Sequence, residues 1–195
     1  MAGSTAHHLL KESSMKIGVI IGSIRKGRFG QGVGDWVMGQ VEARADEGVE
    51  YQLLDLKEFN VPLLEAETVP GAANKQYEDA NVTRWSQAID ACDAFLFITP
   101  EYNHGVPGAF KNAFDVLGME WWGKPVGFVS YGAAEGVRSV EQWRQIVGNF
   151  NMFDVRAQVT FSTFTESREG VFTPNERRAG EFAKVVDALL EAGRR

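Results

Sequence analysis

Four consecutive apolar residues, Phe95-Leu96-Phe97-Ile98, stop at Thr99-Pro100 and give way at once to Glu101-Tyr102-Asn103-His104. Proline has no amide hydrogen for a ladder, so a central strand ends where Pro100 stands. Gly105-Val106-Pro107-Gly108 then leads into AFKNAFDVL, where Phe110, Ala113, Phe114 and Leu117 recur at helical spacing and Pro107 stands at or near the first turn. A strand that is apolar on both faces has to be covered on both faces. A carboxyl end that opens onto a polar loop and then a helix is the arrangement of an α/β ligand site, with a plain strand-to-helix turn as the alternative.

The same alternation fills the rest of the chain. Ile17 to Ile21 reads as a first buried strand, followed by a helix over about 31–45 with Val33, Trp36, Val37 and Val41 on one face. Residues 49–56 read as a second strand that reaches Asp55. An irregular, functional rim is expected over 57–80. A helix capped by Asn81 and running to Ala91 precedes the strand 94–99. A fourth strand covers 126–131. A helix over 135–150 turns Val137, Val140, Ile146 and Val147 inward, and a fifth strand runs over 154–163. A loop over 162–171 leads to a last helix capped by Thr173, with Pro174 at its first position and Glu176 closing a capping box. Five strands alternating with helices argue for a parallel sheet covered on both faces.

Length suits one domain with a sizeable core. We expect residues 1–14 to be a disordered extension, with Met15 as a candidate start, and 15–195 to be the domain. The net charge of −6 argues against a general nucleic-acid binder and gives no attraction to anionic membranes. Cys92 is the single cysteine, so no intrachain disulfide exists, and a buried thiol is its expected role. No stretch approaches 18 apolar residues and Leu9-Leu10 is no signal core, so we expect no transmembrane helix and a cytoplasmic protein. His7, His8 and His104 form no metal set with Cys92. The G-x-G-x-x-G, P-loop and G-x-S-x-G patterns are all absent.

TPEYNHGVPGAFKNAFD resembles the P-x-Y-N-x-x-x-P-G-x-x-K-N-A-x-D signature of the NADPH-dependent FMN reductase family. These are flavodoxin-like flavoproteins that include quinone, azo dye and metal-ion reductases. The resemblance runs from about Met15 to the last helix. It implies a flavodoxin-like three-layer α/β sandwich with a five-stranded parallel sheet in the order 2-1-3-4-5, an order that periodicity alone does not choose. It also implies bound FMN, with NADPH or NADH as donor and hydride passing through the flavin to a small-molecule electron acceptor such as a quinone, free flavin, azo compound or metal ion. A homodimer or homotetramer follows, with each flavin near a subunit boundary. The alternatives are an electron-transfer flavodoxin, which generally lacks the long second motif, and a non-catalytic FMN-binding protein.

Residue by residue, GSIRKGRFG joins a tight turn at Gly22 to a hydroxyl, three cations and a helix start, which suits a phosphate. A solvated basic turn is the alternative. It resembles the family's G-S-x-R loop, so Ser23 and Arg25 are the implied phosphate contacts. Arg28 and Gln31 are the nearest polar replacements for the serine and asparagine of many members. Pro100, Glu101, Tyr102, Asn103 and His104 resemble the segment that wraps the flavin, with structural packing as the alternative for Tyr102. His104 is expected to fix the loop, because hydride transfer to the flavin needs neither acid nor base from it; we expect no catalytic side chain and no metal. Tyr131 and Gly132 resemble the family's Y-G-G loop at the ring edge, with Ala133 replacing the second glycine. The resemblance gives Lys111 and Asn112 a structural role. Trp121-Trp122 serves equally as core or as interface beside the flavin, and the resemblance tips it to an interface.

Overall fold

The computed structural model describes residues 14–194; His7, His8 and nearly all of the expected extension lie outside the described residues. In chain order the elements are β1 (Met15–Ile21), α1 (Gly30–Arg44), β2 (Val49–Asp55), the single turn α2 (Leu56–Phe59), a 3-10 turn at Pro70–Ala72, α3 (Ala80–Asp90), β3 (Ala94–Pro100), α4 (Gly108–Asp115) and β4 (Pro125–Gly132). There follow α5 (Val137–Val147) with a 3-10 turn at Gly148–Phe150, β5 (Phe153–Ser162), the short strands β6 (Ser167–Arg168) and β7 (Val171–Phe172), and α6 (Arg177–Gly193).

The five long strands form one parallel sheet in the order β2-β1-β3-β4-β5. β3 and β4 are buried along their whole length, as their unbroken apolar runs require. One face is covered by α1 and α6, through Val33, Val37, Phe182, Val185 and Leu189. The other is covered by α3, α4 and α5, through Trp85, Ile89, Phe110, Phe114, Val140 and Trp143. Phe97 is the hub of that second core, edge-on to Phe114, Trp121, Phe128 and Trp143 at 5.3–6.4 Å between ring centroids. Each buried indole has its N–H satisfied: Trp85 donates to the Ala113 carbonyl, Trp121 to the Phe114 carbonyl and Trp143 to the Thr99 hydroxyl. The chain leaves β1 towards β2 on one side and returns to β3 on the other. The carboxyl ends of β1 and β3 therefore flank a topological switch point, the place where open α/β sheets hold ligands.

Several local expectations need correction. Asp79, not Asn81, caps α3, accepting from the Asn81 and Val82 amides at 2.8 and 3.0 Å. The capping box at 173–176 does not form. α6 starts later, at Arg177, whose amide is taken by Asn175, and the Thr173 hydroxyl donates to the Val171 carbonyl instead. Between β5 and α6 the chain is not plain loop but holds the antiparallel β6–β7 hairpin, which seats Phe172 on Phe29, Trp36 and Phe161. On α5 Val140 and Val147 are buried as expected and Trp143 joins them, while Val137 is 40% exposed and Ile146 only partly buried. Trp121 is fully buried and only Trp122 is exposed. The pair stands just before β4 and therefore at its amino end. Eight residues of strand put it about 23 Å from the carboxyl-end loops rather than beside them.

Candidate functional site

Three loops meet at the carboxyl edge of the sheet: residues 22–29 after β1, 101–107 after β3 and 133–136 after β4. The first is drawn into the sheet by the Gly22 amide, which bonds the Ile98 carbonyl at 2.9 Å. Ser23 is buried, with its hydroxyl 2.7 Å from that of Tyr102 in the second loop. The exposed Arg25 guanidinium lies 5.7 Å from the Tyr102 ring centroid, a cation–π contact. The sequence-predicted residues Ser23, Arg25 and Tyr102, distant in the chain, are thus one cluster. Lys26 is exposed next to it.

Arg28 adjoins that cluster but directs its terminal nitrogens to other partners. It forks onto Asp55 at the end of β2 and also bonds the Ser23 carbonyl at 2.6 Å and Gln31 Oε1 at 2.6 Å. The Asp55 hydrogen bond outweighs burial and raises the Arg28 pKa. Gln31 in turn donates to Asp35 at 3.0 Å.

The second loop is built as a two-residue hairpin. Tyr102 and Gly105 exchange both backbone hydrogen bonds at 3.0 Å, and Asn103 and His104 between them have φ of 50° and 67°. Positive φ at both central residues is a type I′ turn, where Asn fits well and His at the second position is strained. The Gln142 side chain of α5 braces the turn, accepting from the Val106 amide at 3.0 Å and donating to the His104 carbonyl at 3.2 Å. Both turn side chains stay exposed. Pro100 ends β3 opposite Tyr131. The Glu101 carboxylate accepts the Arg138 amide at 3.1 Å and pairs with the Arg138 guanidinium, fastening the second loop to the first turn of α5, which follows the third loop. A Cβ on Gly132 would come within 3.3 Å of Glu101 Cβ, so the glycine lets the two loops close on each other.

Tyr131 is 5% exposed, and its hydroxyl makes no well-formed hydrogen bond among the described residues, with the Ser23 hydroxyl close enough to act on it. Burial raises its pKa, so the group is a neutral phenol. The hydroxyl lies against the start of α1: a Cβ on Gly30 would meet it at 2.4 Å. No side chain caps α1 there, and its first-turn amides carry the positive end of the helix dipole. The buried Tyr131 hydroxyl, the Ser23 hydroxyl, uncapped helix amides and two exposed cations are the donor set that a phosphoester satisfies. The residues present fit the phosphate of FMN.

Sequence reasoning missed Asp55, Arg138 and Gln142 as partners. Asp55 alone carried a signal, an acid at a strand's carboxyl end beside the basic loop; polar residues on a helix face, such as Arg138 and Gln142, gave none. Asn112 holds the segment 62–64, donating to the Pro62 carbonyl at 2.8 Å and accepting the Leu64 amide at 3.0 Å, while Lys111 pairs with Asp115 one helical turn on. Two surface hollows of about 470 and 520 Å³ border that segment; neither is lined by the three loops.

The family model for NADPH-dependent FMN reductase matches residues 15–166. The chain belongs to this family. A curated relative, the NAD(P)H-dependent FMN reductase ntnL of Nectria sp, is 31% identical over 186 residues, covering 91% of this chain and 92% of that one. The NAD(P)H:quinone oxidoreductase of Solanum tuberosum is 30% identical over 68% of this chain and 66% of its own. Among solved structures, FerB, a flavoenzyme NAD(P)H:(acceptor) oxidoreductase of Paracoccus denitrificans, superposes with a TM-score of 0.66 at 22% identity over 92% of this chain and 97% of its own, which shows the shared fold. The family's sheet order is the one observed.

Proposed function

We propose that the three-loop cleft holds FMN and reduces a small acceptor, a quinone before free flavin, azo compounds or metal ions, at the expense of NADPH or NADH. By family the chain is an FMN-dependent NAD(P)H oxidoreductase. FMN held here would supply hydride chemistry between the nicotinamide and the acceptor. The chain's residues bind and orient. Ser23, Arg25 and the start of α1 would receive the phosphate, with the Tyr131 hydroxyl completing the donor set. Tyr102, the 103–104 turn and Gly132 would border the ring, held there by Gln142 and the Glu101–Arg138 pair. His104, exposed on a braced turn, orients the loop through its backbone rather than moving a proton.

The observation that carries this reading is the convergence at the start of α1 of the buried Tyr131 hydroxyl and the Ser23 hydroxyl, beside a basic loop already joined to Tyr102. The same reading puts the protein in the cytoplasm as a homodimer or homotetramer, with residues 1–14 as an extension outside the domain. No helix among the described residues is long and apolar enough to cross a membrane, and half-exposed Trp122 offers an apolar contact to a second copy.

The test is anaerobic. FMN-loaded protein is mixed with NADPH or NADH, flavin absorbance is followed, and benzoquinone is then added. Rapid bleaching and rapid recovery on quinone are expected. Bleaching by dithionite alone would overturn the oxidoreductase reading in favour of one-electron transfer. Failure to bind FMN at micromolar concentration would overturn the cofactor assignment.

A further inference from the structure

The third cation of the 22–29 loop, Arg28, already has both terminal nitrogens fully engaged. Its two terminal nitrogens carry four N–H groups, and all four are engaged: two on the Asp55 carboxylate, one on the Ser23 carbonyl and one on Gln31 Oε1. The Arg28 and Asp55 side chains are 7% and 14% exposed, so the pair is held out of water. It is also electrically neutral, and the fork geometry matches a carboxylate bidentately. A phosphate that used either terminal nitrogen would first have to displace Asp55, Gln31 or the Ser23 carbonyl.

Asp55 is anchored in its turn. It ends β2, registers against Ile21 of β1, and its Oδ1 caps α2 by accepting the Lys57 amide at 3.0 Å. The Ser23 carbonyl is thereby tied through Arg28 to the rigid carboxyl end of a neighbouring strand. The Ser23 hydroxyl, on the same residue, faces Tyr102.

We infer that Arg28 is a positioning residue for the cofactor's phosphate and not one of its ligands: with Asp55 it preforms the 22–29 loop, and Arg25, Lys26, Ser23 and the helix amides are left to bind. The inference rests on the FMN reading above. It has a consequence opposite in sign to simple electrostatics. Removing the Asp55 charge would strengthen anion binding if Arg28 acted by charge; here it weakens it, because the loop loses its anchor.

The experiment titrates apoprotein with FMN and, separately, with riboflavin, which lacks the phosphate, following flavin fluorescence. Wild type, Arg28→Lys, Asp55→Asn and the double variant are compared, with thermal melts of each apoprotein. Lysine keeps the charge but loses the fork, and asparagine keeps the ability to cap α2. Each single change is expected to weaken FMN binding by about tenfold or more, the size of one lost charge-assisted hydrogen bond, while riboflavin binding moves by less than about threefold. The double variant is expected to be no worse than the weaker single, since both break one contact. Asp55→Glu, which keeps the carboxylate, is expected to recover part of the FMN affinity. Asp55→Asn binding FMN as tightly as wild type or tighter would overturn the inference. So would equal losses for FMN and riboflavin, which would mean general damage to the fold. Wild type that bound neither flavin would remove the cofactor reading itself, and this inference with it.

Discussion

Replacing Glu166 by Gln changes one oxygen to an NH₂ in the most completely saturated carboxylate among the described residues. Glu166 and Arg178 side chains are each 5% exposed. One carboxylate oxygen accepts Arg178 Nε at 2.8 Å and the Asn175 amide at 3.0 Å; the other accepts Arg178 Nη2 at 2.9 Å and the Ser162 amide at 3.0 Å. The amide turns one of these oxygens into an NH₂ that faces two donors. Two contacts at roughly 1.5–3 kcal/mol each would cost about 3–6 kcal/mol. Arg178 keeps Glu181 at 2.9 Å and Glu135 at 3.5 Å, so no charge is stranded and the lower end applies, about 3 kcal/mol. For a chain of this length that is a melting temperature lower by about 6–12 °C. Urea unfolding followed by circular dichroism reads the same loss as a lower midpoint with an unchanged slope. Burial pushes the Glu166 carboxyl up, but the Arg178 hydrogen bond and the Asn175 and Ser162 amides outweigh it, so its folded pKa lies below the ordinary value of 4.5. A carboxyl with a depressed folded pKa contributes its full stability above the unfolded pKa and loses it as pH falls through the folded one. The gap between wild type and variant is therefore widest above pH 4.5 and closes at more acid pH. A loss under about 1 kcal/mol, or a gap that stays constant across the acid range, would refute this account of the site.

Three further outcomes are expected. Gly22→Ala would bring a Cβ to 2.0 Å from Phe110 Cδ1, on a ring packed 4.7 Å from Trp143, so it should cost about 1–3 kcal/mol in a thermal melt and weaken FMN binding in the same titration; a neutral result would show that the ring yields freely. Trp121→Ala empties a fully buried site and should cost about 3–5 kcal/mol, whereas exposed Trp122→Ala should cost far less; equal costs would contradict the burial difference. His104→Ala should leave the anaerobic rate of NADPH oxidation within about tenfold, or about 1.4 kcal/mol of barrier, and a thousandfold loss with FMN still bound would show that His104 takes part in proton transfer or critical positioning.

Periodicity along the chain located the five long strands and their covering helices, because an apolar run or a repeating apolar face is a local property that burial rewards wherever the segment ends up. Ile17 to Ile21 and Phe95 to Ile98 could hardly be anything but buried strands. Pro100 marked the end of its strand through the missing amide. The motif from Pro100 to Asp115 carried the family, and with it the sheet order that no periodicity contains. Helix starts were less legible. Asp79 and Asn81 are both good caps, and so are Thr173 and Asn175; which one takes the free amides depends on where the chain enters the helix, which packing decides.

The site shows the same division. Ser23, Arg25 and Tyr102 stood out as residue types, but the hydroxyl contact between Ser23 and Tyr102 spans 79 positions of chain. Arg28 reads from the sequence as a polar group of the phosphate loop; only the fold, which puts β2 next to β1, brings Asp55, 27 residues on, into its fork. Glu101 found Arg138 at a separation of 37, and Asn112 found Pro62 at 50. The two tryptophans are adjacent in sequence and alike in chemistry, yet one lies in the core and the other in solvent. A charged or amphipathic side chain carries its chemistry in the sequence, but its partner is whichever group the strand order sets opposite it. That assignment exists only once the sheet has closed.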